Sequence, residues 1–304
     1  MGGPPIDWLT DPWQFEFMQR AFLAGAIVAV AGAVVGAFVV LKGLAFLGDA
    51  VAHTQLAGAA VAVLSGAGPV GITLGAALAA VLTAIGVSAL TQRARLRPDT
   101  AIGIMFAGLF ALGVLLISSE RNFALDLNSF LVGNILGVAN ADVITMGVLT
   151  AIVLAITAYF YPELRYVAYD PEMARASGVP VALVQTGMLI LVALAAVVAF
   201  RLVGVVLALA MLVAPAATAE LISRNLPRMM LIGALLAILA VFGGLYASFH
   251  LNVAAGPAVV LCAVTLFAIT FLLSPRGLAT ARRRRPPRTP APHPPSPPHH
   301  TPAT

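Results

Sequence analysis

Long apolar stretches separated by short polar ones dominate the chain. A helix needs about 20 mostly apolar residues to cross the hydrocarbon layer of a membrane, and nine stretches come close to that length. We therefore predict an all-α, polytopic membrane helix bundle of about eight or nine spans, with the second and third stretches the least certain. The stretches are residues 20–41, 46–66, 70–90, 100–118, 142–161, 181–200, 202–222, 229–248 and 254–273.

Composition agrees with a membrane protein and excludes an ordinary soluble enzyme. Hydrophobic residues make up 61% of the 304 residues and charged residues only 10%, whereas a soluble domain carries roughly 25% charged residues. The net charge of +5 comes from residues 275–304, which hold six arginines and no acidic residue. We predict a membrane domain over 1–274 and a disordered cytoplasmic tail, rich in Arg, Pro and His, over 275–304. The tail arginines are expected to contact membrane lipid and not nucleic acid.

Positive charge predicts the orientation of the bundle. Loops on the cytoplasmic side of a membrane protein carry an excess of Lys and Arg. If nine spans leave the C-terminus inside, the inner connections and the tail hold 14 of the 17 basic residues. We therefore expect the N-terminus outside, the C-terminus in the cytoplasm, and a multi-pass protein of the cell (inner) membrane.

Asp49 and His53 form the most notable polar pair within a predicted span. Ionisable groups inside the membrane are costly, so each is a functional candidate. Four residues apart on a helix, the two side chains share one face, and a carboxylate with an imidazole can bind a divalent cation. Two interpretations stay open on spacing alone: half of a transient metal site, or a buried hydrogen bond that only joins helices.

Residues 170–180 predict a short helix on the cytoplasmic side. Asp170 is a good N-cap, Pro171 suits the first helical position, and Gly178 with Pro180 should end the helix after about two turns. Such a short helix is marginal alone, so it packs on its own bundle or docks a cytoplasmic partner.

The sequence has no Gly-Lys-[Ser/Thr] motif of the kind that binds nucleotide phosphates. Its only lysine, Lys42, is followed by Gly43.

Six segments in collinear order resemble the membrane permease of the ABC-3 family, the manganese, zinc and sometimes iron ABC importers. They are GAFVVLKGLAFLGDAVAHTQLAG (36–58), RLRPDTAIGIMFAGLFALGVLLIS (95–118), FLVGNILGV (130–138), YDPEMARASGVPV (169–181), RLVGVVLALAMLVAPAATAELIS (201–223) and GLYASFHLNVAAGPAVVL (244–261). The resemblance covers about residues 15–275.

The resemblance implies a transport subunit and not an enzyme. It implies a homodimer of permeases, two separate ATP-binding subunits and an extracytoplasmic metal-binding protein. The cargo is Mn²⁺ or Zn²⁺, carried by alternating access along the dimer interface, with no permanently bound cofactor. Asp49 and His53 match the family's GDAxxH segment and are the expected transient metal ligands. The expected ATPase-coupling residues are Asp170, Pro171, Glu172, Met173, Ala174, Arg175 and Gly178.

Other features leave alternatives open. Pro215 should kink its helix and is a possible gating position. Ala57 and Glu220 depart from residues common in the family, which weakens any choice between metals. The rival functions are a proton-coupled secondary transporter that uses Asp49 and His53 as a proton relay, and an ABC permease for a metal chelate.

Overall fold

The computed structural model describes residues 11–118 and 135–274, and each of the nine predicted spans is a helix in it. Short 3₁₀ turns occupy Asp11–Gln14 and Ile135–Gly137. The α-helices are α1 (Glu16–Lys42), α2 (Ala45–Leu64), α3 (Pro69–Arg93), α4 (Pro98–Ser118), α5 (Asn140–Tyr159), α6 (Tyr161–Tyr169), α7 (Pro171–Ala176), α8 (Val181–Val203), α9 (Val205–Ile222), α10 (Leu226–Leu251) and α11 (Ala255–Leu273). The predicted tail over 275–304 lies outside the described residues.

Within that described part, eight helices are long and apolar enough to cross a membrane, which confirms the predicted all-α, multi-pass class. The second and third spans, which we considered least certain, are α2 and α3, and both reach full length. The shortest of the nine is α9, which has 18 residues (Val205–Ile222).

A single glycine separates α8 from α9 and sets where α9 begins. Gly204 adopts φ 84°, a left-handed conformation that glycine tolerates best. Because α8 continues through Arg201 to Val203, residues assigned from hydropathy to the next span belong to α8 instead. Nevertheless α9 covers the same depth as α11. Ser274, just after α11, donates to the Leu221 carbonyl near the end of α9, while the starts of both helices share a hydrophobic cluster.

Small residues bring the central helices close together. An added Cβ on Gly32 would lie 2.9 Å from the Met211 carbonyl oxygen, and one on Gly36 would overlap the Leu212 carbonyl. These two glycines therefore seat α1 directly on the backbone of α9, as small residues do in membrane bundles. Gly58 and Gly75 meet in the same way between α2 and α3.

Burial divides the bundle into a centre and a periphery. In the most apolar part of α1, 67% of residues are buried within the protein, against 11% for α11. Helices α1, α8 and α9 contribute much of the two largest hydrophobic clusters. The apolar faces that the outer helices leave exposed are those that lipid would cover in a membrane.

Candidate functional site

Asp49 and His53 lie in the first half of α2, one turn apart, as predicted. The Nδ1 of His53 is 2.9 Å from the backbone carbonyl oxygen of Asp49 and 3.7 Å from its carboxylate Oδ1. A carbonyl oxygen can only accept, so Nδ1 carries the proton and donates it to this carbonyl. The lone pair of the neutral ring is therefore on Nε2, which is the nitrogen left to bind a cation.

Two phenyl rings of α4 fix the imidazole of His53. The ring centroids of Phe106 and Phe110 lie 5.6 and 5.7 Å from that of His53, with interplanar angles of 89° and 77°. The two phenyl rings also stack on each other at 5.6 Å. Edge-on packing of this kind holds the plane of the imidazole in place. Sequence reasoning missed both phenylalanines, since the apolar pattern of α4 does not mark which face meets α2.

Access to the pair is partial. The side chain of His53 is 26% exposed and that of Asp49 is 42% exposed, so both ends reach the surface of the single chain. No group of three or more His, Cys, Asp or Glu side chains suited to a metal ion occurs in residues 11–118 and 135–274. Because bound transition metals take four or more ligands, the pair supplies at most part of a site.

A second polar region lies further along α2, towards its C-terminal end. The side chain of Gln55 is buried, and its amide nitrogen has no partner among the described residues. It lines a cavity of about 10 Å³ together with Thr73 and Arg201, which is about the room one water requires. Arg201 also pairs with Asp142 at 3.2 Å, joining α8 to α5. The sequence offered only one signal for this pair, namely opposite charges near the ends of two spans.

The predicted cytoplasmic helix is α7, and its capping agrees with the sequence in detail. Asp170 Oδ1 accepts from the backbone N–H groups of Glu172 and Met173 at 3.1 and 2.9 Å. Pro171 is its first residue, and Gly178 follows it with φ 83°. These contacts satisfy donors that a helix N-terminus leaves unpaired.

One face of α7 packs on its own bundle and the other is exposed. Ala174 is fully buried in a small cluster with Val167 and Val181, whereas the Met173 side chain is 55% exposed. Glu172 and Arg175 are exposed on either side of Met173. The contacts with the bundle account for why so short a helix forms, and the exposed face remains available to a partner.

Helix α6 precedes α7 and was missed by sequence analysis, which extended the fifth span to residue 161. Its Tyr166 hydroxyl lies 3.0 Å from the Ser177 hydroxyl, so α6 holds the end of α7. Burial raises the pKa of the Tyr161 phenol at its start, although the charge of Arg165 opposes this shift. The helix is amphipathic, and for that reason it does not stand out in a search for apolar runs.

Pro215 is buried inside α9. A proline has no N–H, so it cannot donate to the carbonyl four residues earlier, that of Met211. This is the carbonyl on which Gly32 of α1 packs. Pro215 therefore weakens α9 at the level where α1 and α9 are closest, and its role in gating stays a prediction.

Residues 14–274 match the ABC 3 transport family. The chain is 38% identical over 263 residues to the manganese transport system membrane protein MntC of Halalkalibacterium halodurans, covering 86% of this chain and 89% of that protein. It is 33% identical over 269 residues to a probable iron transport system membrane protein of Haemophilus influenzae, covering 88% and 98%. A solved structure, PsaBC from Streptococcus pneumoniae in complex with Fab, superposes with a TM-score of 0.79 at 32% identity, covering 91% of this chain and 99% of the matched chain. The chain therefore belongs to the ABC 3 transport family, as one of its multi-pass membrane permeases.

Proposed function

We propose that this permease carries a free divalent transition metal ion through the cell membrane as part of an ATP-driven importer. Mn²⁺ is the first candidate, because relatives that match nearly nine tenths of the chain are named as manganese transport proteins. Zn²⁺ remains a candidate on chemical grounds, and Fe²⁺ enters because another relative is named for iron. The observation that carries the proposal is the Asp49–His53 pair, in which Nδ1 of His53 is hydrogen-bonded and Nε2 is the nitrogen left for a metal.

The observed geometry favours ligands from more than one chain. The Asp49 carboxylate lies on the Nδ1 side of the imidazole, whereas the metal-binding lone pair is on Nε2. One ion cannot touch both groups unless a side chain turns. A second permease copy, packed against the exposed edge of the pair, would supply the missing ligands, so we propose that the site forms at a homodimer interface.

The ligand set suits a transported ion. A carboxylate and an imidazole favour Mn²⁺, Fe²⁺ or Zn²⁺, and the single cysteine of the chain, Cys262, lies on α11 beside Gly243 of α10. Thiolate chemistry of the kind that selects Cu(I) is therefore not part of the proposed site. An incomplete site also binds weakly enough to release its ion, which a transporter requires.

We propose that α7 couples ATP hydrolysis on the partner subunits to movement of the bundle. We place one ATP-binding subunit against its exposed face in each permease copy, two in the complex, with Met173 as the apolar contact and with Glu172 and Arg175 as charged contacts. Movement of α7 would pass to α8, since only Ser177–Pro180 separate them. An extracytoplasmic metal-binding protein would deliver the ion on the opposite side.

Uptake of radioactive manganese into proteoliposomes that contain the complete complex tests the metal site. We expect Asp49→Ala and His53→Ala to lower ATP-dependent uptake to the level seen without ATP. His250→Ala, which removes the other described histidine, on α10, should leave uptake unchanged. Asp99→Ala is the matched carboxylate control, since Asp99 is exposed at the start of α4.

Three outcomes would contradict parts of the proposal. Normal uptake by both α2 variants would reject the site while leaving the transport function intact. Uptake that follows a proton gradient and ignores ATP would favour the secondary transporter, which membership of an ABC family argues against. Absence of ATP-dependent uptake of free Mn²⁺, Zn²⁺ and Fe²⁺ would favour a chelated cargo.

A further inference from the structure

A pocket of about 120 Å³ with both polar and apolar walls lies where helices α1, α3, α4 and α8 meet, at the ends that we predict to face the cytoplasm. It is separate from the Asp49–His53 pair and takes no part in the proposed metal pathway. Apolar residues form part of its wall, including Leu44 and Met188. Its polar lining consists of Lys42, Ser88, Thr91, Gln92 and Gln185.

No described carboxylate balances the charge of this pocket. Lys42 is the only lysine of the chain, it ends α1, and its side chain is half-buried. Among the residues that the structure describes, no carboxylate pairs with it, and none lines the pocket. A partly buried ammonium without a counter-charge favours an anion and repels a metal cation.

Hydrogen bonds between side chains hold one wall in place. The Ser88 hydroxyl lies 2.6 Å from that of Thr186, and the Gln92 amide donates to Ser88 at 2.7 Å. These bonds join α3 to α8, and they occupy hydrogen-bond donors of Ser88, Thr186 and Gln92. Gln185 makes no side-chain hydrogen bond within the described ranges, so its amide N–H groups and the Lys42 ammonium remain as donors.

The volume of the pocket and its depth in the membrane indicate which anion it binds. A volume of 120 Å³ is several times the roughly 10–15 Å³ that one water requires, so the pocket has room for a phosphate group. The pocket lies at the ends of spanning helices, and therefore at the depth of lipid head groups. We propose that Lys42 and Gln185 bind the phosphate of an anionic membrane lipid, in the manner of other basic pockets between spanning helices.

Native mass spectrometry of the delipidated full-length chain, titrated with phosphatidylglycerol, phosphatidylcholine or inorganic phosphate, tests this proposal. We expect one phosphatidylglycerol to bind the unmodified chain roughly five- to tenfold more tightly than it binds Lys42→Gln, since one basic group near the surface contributes on that scale. Gln185→Leu should weaken binding with every charge retained, and Lys42→Arg should preserve it.

Arg93→Gln is the matched control, because it removes the same charge from an exposed position at the end of α3. An equal loss of lipid in Arg93→Gln and Lys42→Gln would show a diffuse charge effect and overturn the pocket. Equal binding of phosphatidylcholine would overturn the requirement for an anion. Displacement of the lipid by an equimolar amount of inorganic phosphate would overturn the lipid assignment. A thermal melt of Lys42→Gln like that of the unmodified chain shows that lost binding is not lost folding.

Discussion

Replacing Gly36 by alanine should separate α1 from α9. The added Cβ would overlap the Leu212 carbonyl of α9 and lie 3.4 Å from Ala216 Cβ. The obstacle is backbone, so it cannot turn aside as the tip of a side chain would, and the two helices must move apart. Gly108 on α4 offers a matched comparison, because an added Cβ there meets no heavy atom of the described residues within 4 Å.

The two substitutions should therefore change stability in opposite directions. In a helix interior alanine is favoured over glycine by about 0.5–1 kcal/mol, and Gly108→Ala should gain that amount. Gly36→Ala gains the same but also overpacks a tight interface, which costs about 1–3 kcal/mol. The difference between the variants equals this overpacking cost. At about 2–4 °C per kcal/mol, their melting temperatures should differ by roughly 2–12 °C.

Cys262 provides the assay without further labelling. It is the only cysteine, and it packs on α11 against Gly243 of α10, so a thiol-reactive fluorophore reports its exposure on unfolding. Gly32→Ala, whose Cβ would lie 2.9 Å from the Met211 carbonyl, should fall between the other two variants. A melting temperature for Gly36→Ala equal to or above that of Gly108→Ala would refute the close approach of α1 and α9.

Two further predictions concern the helix ends. Asp170→Ala removes both N-cap hydrogen bonds of α7 and should destabilise that helix by about 1 kcal/mol. We expect less ATP-binding subunit to co-purify with this variant, and Asp170→Asn should largely restore the amount. Unchanged co-purification in both variants would reject the capping argument. Arg201→Gln breaks the pair with Asp142, whose side chains are 28% and 35% exposed, so the loss should stay below about 1 kcal/mol. The same thermal assay checks this value, and Asp142→Asn added to Arg201→Gln should cause little further loss.

The spacing of glycines along the sequence does not by itself predict which of them lie at a helix–helix contact. Both Gly32/Gly36 and Gly71/Gly75 have the spacing of close-packed helices. Gly32, Gly36 and Gly75 do meet the backbone of another helix, but an added Cβ on Gly71 would meet only Ala67 in the preceding turn. Glycines four residues apart give a helix a face without side chains. The position of the neighbouring helix decides whether another backbone packs against that face.

The sequence by itself determined the features that depend on neighbouring residues. Apolar length marked nine helices, the motifs marked the family, and Asp170, Pro171 and Gly178 marked α7, because spanning and capping are local properties. The tertiary structure decided the rest. It packed Phe106 and Phe110 on the ring of His53, and it brought Lys42 to a pocket with Gln185. These results depend on side chains from helices far apart in the chain, and their relative positions follow from the packing of the whole bundle.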